Sequence, residues 1–331
     1  MSKNLVAAKR FLASLFMVLV VVLTASVSMS EQKQVVVDGA QKVTDQTTEF
    51  RVGKSPEALA YDGSDIWVAN RMSNTVTKLR GKDGARLKEI PVGERPSALT
   101  FDGKNIWVAN EFSNSVTKLR AKDDVVLGTF LVGERPGGLA YDGVNIWVTN
   151  QKSNTVIKLR AGDGVQLGTF DVGSRPISVV SDGANIWVAN NDSNSVTKLR
   201  ISDGARLGDF EAGDSPNGIA FDGTYIWVTN FYATRVTKLK ASNGEAFATY
   251  MVGDGPMGVA FAGGYIWVVN NGSNSVSKLK PDDGTLVNTF AAGKSPSGIT
   301  FDGESIWVAD KGSGTVSRVS RSSSSAASAV P

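Results

Sequence analysis

The stretch Asn105-Ile106-Trp107-Val108-Ala109-Asn110, followed by Ser115-Val116-Thr117-Lys118-Leu119-Arg120, carries the most structural information in this chain because it recurs. Trp67, Trp107, Trp147, Trp187, Trp227, Trp267 and Trp307 each stand between Ile and Val, and each is 40 residues from the next. A fixed period of about 40 residues is the signature of a repeat architecture. Within one period, four short apolar or β-branched runs are separated by Gly, Asp and Asn, which reads as four strands joined by turns. Asp102-Gly103 marks the first hairpin. Asp83-Gly84, Asp163-Gly164 and Asp203-Gly204 mark the hairpin between third and fourth strands, where Gly accepts a positive φ. Pro56, Pro96, Pro136, Pro176, Pro216, Pro256 and Pro296 fall at strand starts, where a missing ladder donor is tolerated. No stretch places apolar residues at helical spacing.

The second strand is apolar on both faces. Ile106 and Val108 point one way and Trp107 and Ala109 the other, because strand side chains alternate. A sheet buried on both faces needs a neighbour on each side, and four-stranded sheets arranged around an axis provide this. The expected fold is therefore all-β, a seven-bladed β-propeller of four-stranded antiparallel blades. The last repeat starts at Pro296 and runs out after its third strand. Its missing fourth strand has a counterpart at the other end, where Thr48-Glu49-Phe50-Arg51-Val52-Gly53 aligns with Gly128-Thr129-Phe130-Leu131-Val132-Gly133. The N-terminal strand is expected to pair into the last blade, which closes the ring and removes a long free edge.

The propeller is expected over residues 46–320. Residues 1–30 carry Lys3, Lys9 and Arg10, then an uncharged apolar stretch at residues 11–25, then small residues. This is a signal-peptide pattern, with a membrane anchor over residues 11–30 as the alternative reading. Either way the propeller is expected to be exported, to a periplasm or to the extracellular space. Residues 31–45 read as a polar linker and residues 321–331 as a disordered Ser/Ala-rich tail. The 331-residue chain has 35 Lys and Arg against 32 Asp and Glu, and no acid lies in residues 1–30. The remainder is neutral, which argues against nucleic acid as a partner. The expected partner is a protein, peptide or glycan of the cell envelope. The membrane is involved only through the possible N-terminal anchor, and the protein is expected to be monomeric.

The chain contains neither His nor Cys. That removes Ser-His-Asp and Cys-His catalysis, imidazole proton transfer, disulfides and the usual zinc sites. The repeated Asp62, Asp102, Asp142, Asp182, Asp222 and Asp302 each precede Gly in one hairpin, and are expected to form turns. Asp123-Asp124 and Asp282-Asp283 lie in another hairpin without other spaced oxygen ligands. No metal and no cofactor is expected. Lys78, Lys118, Lys158, Lys198, Lys238 and Lys278 are expected to cover the blade flank with their stems while their charges reach water as an outer belt. The Asn at each second-strand end, Asn70 to Asn270, is expected to satisfy the adjoining turn.

The string Ile-Trp-Val-Ala-Asn-x-x-Ser-Asn-Ser/Thr-Val-Thr-Lys-Leu resembles the YVTN-type β-propeller repeat. Its Tyr-Val-Thr-Asn core corresponds here to Trp107-Val108-Ala109-Asn110 and Trp147-Val148-Thr149-Asn150. The preceding Gly-x-x-Pro-x-Gly-Leu/Ile-Ala-Phe/Tyr-Asp-Gly is also similar to repeats of the virginiamycin B lyase group and of NHL propellers. The resemblance covers all seven repeats and implies the propeller fold. It implies exported binding proteins, surface proteins and a few enzymes as functional classes. The lyase of that group uses a histidine base and magnesium, and no residue of this chain can take the histidine's role.

Repeats differ where function is expected. Two loops vary from blade to blade and share one face of the disc, the loop entering the first strand and the loop after the second. Loops on a rigid scaffold are where binding concentrates. The residue after each Pro also varies and is expected near the channel mouth. Blade five departs most: Ser-Asn-Ser/Thr-Val becomes Ala233-Thr234-Arg235-Val236, preceded by the adjacent aromatics Phe231 and Tyr232. Aromatic and Arg side chains are common interface anchors. The candidate binding residues are Phe231, Tyr232, Arg235, Met257, Phe112, Arg95, Arg135 and Arg175, with no catalytic residue. The expected function is a non-catalytic, exported binding or scaffold module. The alternatives are a hydrolase or lyase with a carboxylate-held metal, and a structural cell-envelope protein.

Overall fold

The computed structural model describes residues 45–321. The expected leader of residues 1–30 and the linker lie outside them, apart from Asp45, as does the tail apart from Arg321. The first blade comprises Pro56–Tyr61, Asp65–Asn70, Thr75–Arg80 and Arg86–Pro91, paired in that order from innermost to outermost. Five more blades repeat this order, and the seventh is completed from the other end of the chain. There Asp45–Arg51 pairs antiparallel with Thr315–Arg321, with Arg51 opposite Thr315 and Thr48 opposite Arg318. Each innermost strand contacts the next, and Pro296–Phe301 contacts Pro56–Tyr61. The seven-bladed ring closes as the sequence register requires.

The core sits between blades, where alternation places it. Trp107 and Ala109 pack with Ile146 and Val148 of the next blade, while Ile106 and Val108 pack with Trp67 of the previous one. Six of the seven Trp side chains are fully buried. A fourth-strand aromatic covers every Trp except Trp67, as Phe130 does Trp107 with ring centroids 5.7 Å apart. The Trp core therefore extends to the outermost strand, and in the last blade the cover is Phe50 of the N-terminal strand, 5.4 Å from Trp307.

The repeated polar residues hold this frame. In six blades the hairpin Asp accepts two backbone N–H bonds through Oδ1, as Asp102 does from Lys104 and Asn105. Its Oδ2 accepts the buried Trp Nε1–H at 2.6–2.8 Å. The turn assignment holds, and the same carboxylate also satisfies the one polar atom of the Trp core. Blade six has Ala262 at this place, and Trp267 donates instead to the Ala262 carbonyl at 3.1 Å. Asn70, fully buried, accepts from Gly53 N–H and donates to Thr75 and Thr77.

The repeated lysines do not form a solvated belt. Lys78, Lys118, Lys198, Lys238 and Lys278 are buried, and the six ammonium groups lie 4.6–5.1 Å from the Trp ring centroids of their own blades. Lys78, Lys118, Lys158, Lys198 and Lys238 each donate to a backbone carbonyl of the next blade at 2.6–2.9 Å. Burial pushes Lys118, Lys198 and Lys238 below the usual ammonium range. These lysines are fasteners between blades. The basic residues two positions on do reach water, as in the exposed Arg160–Asp163 pair at 2.9 Å.

Candidate functional site

The two variable loops of each blade meet on one face, because one loop hydrogen-bonds the other. Arg71 and Met72 donate backbone N–H to the carbonyls of Ser55 and Lys54, and the same pairing recurs in later blades. The centre of this face is a cavity of about 690 Å³ at the mouth of the channel. All seven post-Pro residues, Glu57, Ser97, Gly137, Ile177, Asn217, Met257 and Ser297, line it. A volume of this size suits a small ligand.

The walls are made by close approach of the innermost strands. A Cβ on Gly218 would fall 2.1 Å from the Met257 carbonyl oxygen, and one on Gly138 would fall 2.6 Å from that of Ile177. In these two blades Thr149 and Thr229 replace the second-strand Ala. Their hydroxyls accept from the N–H of Gly138 and Gly218 and donate across to the Ile177 and Met257 carbonyls. Ser97 and Ser297 make corresponding bonds to the carbonyls of Pro136 and of Pro56 and Glu57. The backbone around the mouth is thereby tied from blade to blade, and the post-Pro side chains project from a fixed base.

Charge is not evenly distributed around the mouth. Arg71 pairs with Glu111, linking blades one and two. Lys311 Nζ lies 2.7 Å from Glu57 Oε2, linking blades seven and one as an ion pair without hydrogen-bond alignment. Arg95 and Arg135 approach the same ring, with guanidinium carbons 4.0 and 5.5 Å from the centroid of Phe112. Among the described residues, neither Arg95 nor Arg135 forms an ion pair. Arg175 contacts Asn191 and Asp192 at 3.3 Å. On the other side of the ring, Ile177, Asn217 and Met257 line the cavity without charge.

The three arginines also sit where an arginine is costly. Arg95, Arg135 and Arg175 have φ of 51°, 55° and 52°, the left-handed region. That conformation costs a non-Gly residue about 1 kcal/mol. The other blades place Ser55, Ser215, Gly255 and Ser295 at the same point with the same sign of φ. The backbone is held there by its neighbours. Arg95 accepts from Glu111 N–H and donates to Asn74 Oδ1 of the preceding blade. A long cation at this point is not required by the turn.

Of the candidate binding residues, Met257, Phe112, Arg95, Arg135 and Arg175 line the cavity, and Phe231, Tyr232 and Arg235 do not. Phe231 and Tyr232 form an edge-to-face pair with centroids 5.1 Å apart. Phe231 lies against the entry loop of blade six, where a Cβ on Gly255 would be 3.5 Å from its ring, while Tyr232 is 77% exposed. Arg235 opens the third strand at the outer part of the blade, opposite Met251. The sequence reading did not single out Arg71, Glu111, Glu57, Lys311, Ile177 or Asn217 as site residues. Their signal was position alone, since each occupies a post-Pro or loop position that varies between blades. No group of three or more metal-ligating acids occurs among the described residues.

Neither a family model nor a curated protein matches this chain. Solved structures do match its fold. A streptogramin B lyase structure aligns with TM-score 0.72 at 21% identity, covering 84% of this chain and 98% of that one. The hydrazine synthase of Kuenenia stuttgartiensis aligns with TM-score 0.73 at 20% identity over 87% and 99%. The RRP9 WD40 repeats align with TM-score 0.75 at 14% identity over 85% and 100%. At these identities the likeness concerns the fold, and the fold is shared by proteins of different kinds.

Proposed function

We propose that this protein is an exported, non-catalytic binding module that takes its ligand at the channel mouth on the variable-loop face. The observation that carries this reading is the division of labour among its polar residues. The repeated Asp, Asn and Lys side chains are engaged in the frame. The blade-specific Arg95, Phe112, Arg135 and Met257 line a single cavity. The leader pattern of residues 1–30 supports export, and a protein, peptide or glycan of the cell envelope is the partner class that export favours. Propeller neighbours such as the WD40 repeats support a scaffold role. A lyase or hydrolase would need another base than histidine. The two acids that line the mouth, Glu57 and Glu111, are each engaged by a cation.

The test is retention of cell-envelope fractions and oligosaccharides on the immobilised protein, with and without divalent metal. A double variant, Phe112→Ser with Met257→Ser, should lose the retained component. Arg160→Ser, at the far end of a third strand, should keep it. Equal retention by the mouth variant and the parent would sink this reading.

A further inference from the structure

We infer that the ligand of the mouth is a small amphiphilic anion, bound with its acidic group at Arg95 and Arg135 and its apolar body toward Ile177 and Met257. This rests on the reading of the mouth as the binding site and adds the chemistry of what binds there.

Three observations converge. First, two guanidiniums approach one aromatic ring, Phe112, and among the described residues neither has a carboxylate partner. Of the acids in the neighbouring loops, Glu111 pairs with Arg71 and Glu134 with Lys152 at 2.5 Å, while Glu94, adjacent to Arg95 in the chain, makes no ion pair with it. Two such cations about one ring favour an anion beside them, and guanidinium offers paired donors matched to carboxylate or phosphate oxygens. Second, both arginines stand in left-handed backbone at a position that blades one, five and seven fill with Ser. Strained positions held in place by their surroundings concentrate at functional sites. Third, the charge is one-sided. The cations of the mouth, Arg71, Arg95, Arg135, Arg175 and Lys311, come from the loops of blades seven and one to four. Blades five and six contribute no charged lining residue, and Met257 and Val259 of blade six are apolar. A ligand that satisfied only the cations would leave that side facing water.

Free carboxylates and phosphate monoesters share this chemistry, and the experiment separates them. Binding to the purified protein is measured by titration calorimetry with phenyl phosphate, 4-phenylbutyrate, inorganic phosphate and phenylguanidine. At least one of the two amphiphilic anions should bind more tightly than inorganic phosphate, and phenylguanidine should not bind. The preferred headgroup identifies the acid. Arg95→Ser and Arg135→Ser should each weaken that binding by about tenfold, the loss expected for one charge-assisted contact. Ser already occupies this φ in three blades, so both variants should melt at or above the parent temperature. Met257→Ser should weaken 4-phenylbutyrate and phenyl phosphate but not inorganic phosphate. Arg160→Ser should change nothing. If phenylguanidine binds and is lost with Met257→Ser, the mouth remains the site and the anionic ligand is wrong. If anions bind but survive both arginine changes, or if none of the four probes binds, the inference is overturned.

Discussion

Asp310 is the one residue of the second-strand ring that differs from its six counterparts. Where the other blades have Asn70 to Asn270, blade seven has a fully buried carboxyl. It accepts from Gly293 N–H, Thr315 and Ser317. Burial pushes its pKa up to about 6, against the bonds from Ser317 and Thr315, and Glu49 adds to the rise. An unfolded Asp titrates near 4. Between about pH 4 and 6 the folded state therefore holds a proton that the unfolded state has released, so this residue makes stability fall as pH rises through that window. Asp310→Asn restores the residue of the other blades. It should raise stability at pH 7.5 by about 2–3 kcal/mol, with the gain shrinking toward pH 4, as read from melting temperature against pH. An equal gain at pH 4 and pH 7.5 would show that burial does not raise this carboxyl above its unfolded pKa. Two hairpin acids, Asp142 and Asp182, behave oppositely. Burial works against the Asp142 carboxylate, but the bonds from Trp147, Asn145 and Val144 outweigh it and hold its pKa below the usual range. Its contribution persists above that range and is lost on acidification.

The N-terminal strand Asp45–Arg51 does for the last blade, from the other end of the chain, the two jobs of a fourth strand. It supplies the outer edge of the last blade and covers Trp307 with Phe50. A chain beginning at Lys54 would leave Thr315–Arg321 with an unpaired edge and Trp307 without its aromatic cover. Its melting temperature should fall sharply, while Phe50→Ala alone should cost about 3 kcal/mol. An unchanged melting temperature on truncation would refute this account of closure. The blade-five loop makes a contrasting case. Tyr232 and Arg235 are exposed and Phe231 is only partly covered. Replacing Phe231 and Tyr232 by Ala and Arg235 by Ser should leave stability within about 1 kcal/mol. If this loop is also an interface anchor, binding of a retained partner should weaken by about 2 kcal/mol, more than on changing Asn271, Ser273 and Asn274 to Ala in blade six. Early unfolding with undiminished binding would make the aromatics packing residues.

Taken as a whole, the ring is held by bonds that run from blade to blade. The lysine ammonium groups reach carbonyls of the next blade, and the mouth serines and threonines reach across neighbouring innermost strands. None of these links calls for a metal. Treatment with a chelator should leave the melting temperature unchanged; a large drop restored by calcium would revive the carboxylate-held metal and with it the enzymatic alternative.

The 40-residue spacing of Ile-Trp-Val, the alternation on either side of Trp107 and the orphaned fourth strand at Phe50 were sufficient to read off seven blades, their core faces and their closure. Such features are periodic or local, and strand geometry converts them directly into position. The register of the prolines also located the channel mouth, because the residue after a strand's first position follows its end. The lysine ring was misread from sequence. Whether Lys78 meets water or a carbonyl depends on Ala121, 43 residues away on the neighbouring blade. The mouth was legible as a set of variable positions but not as an arrangement. The approach of Arg95 and Arg135 to Phe112, and the pairing of Arg71 with Glu111, join side chains from different blades. Such contacts depend on how blades pack around the axis, since side chains leaving separate strands meet only once the ring has closed.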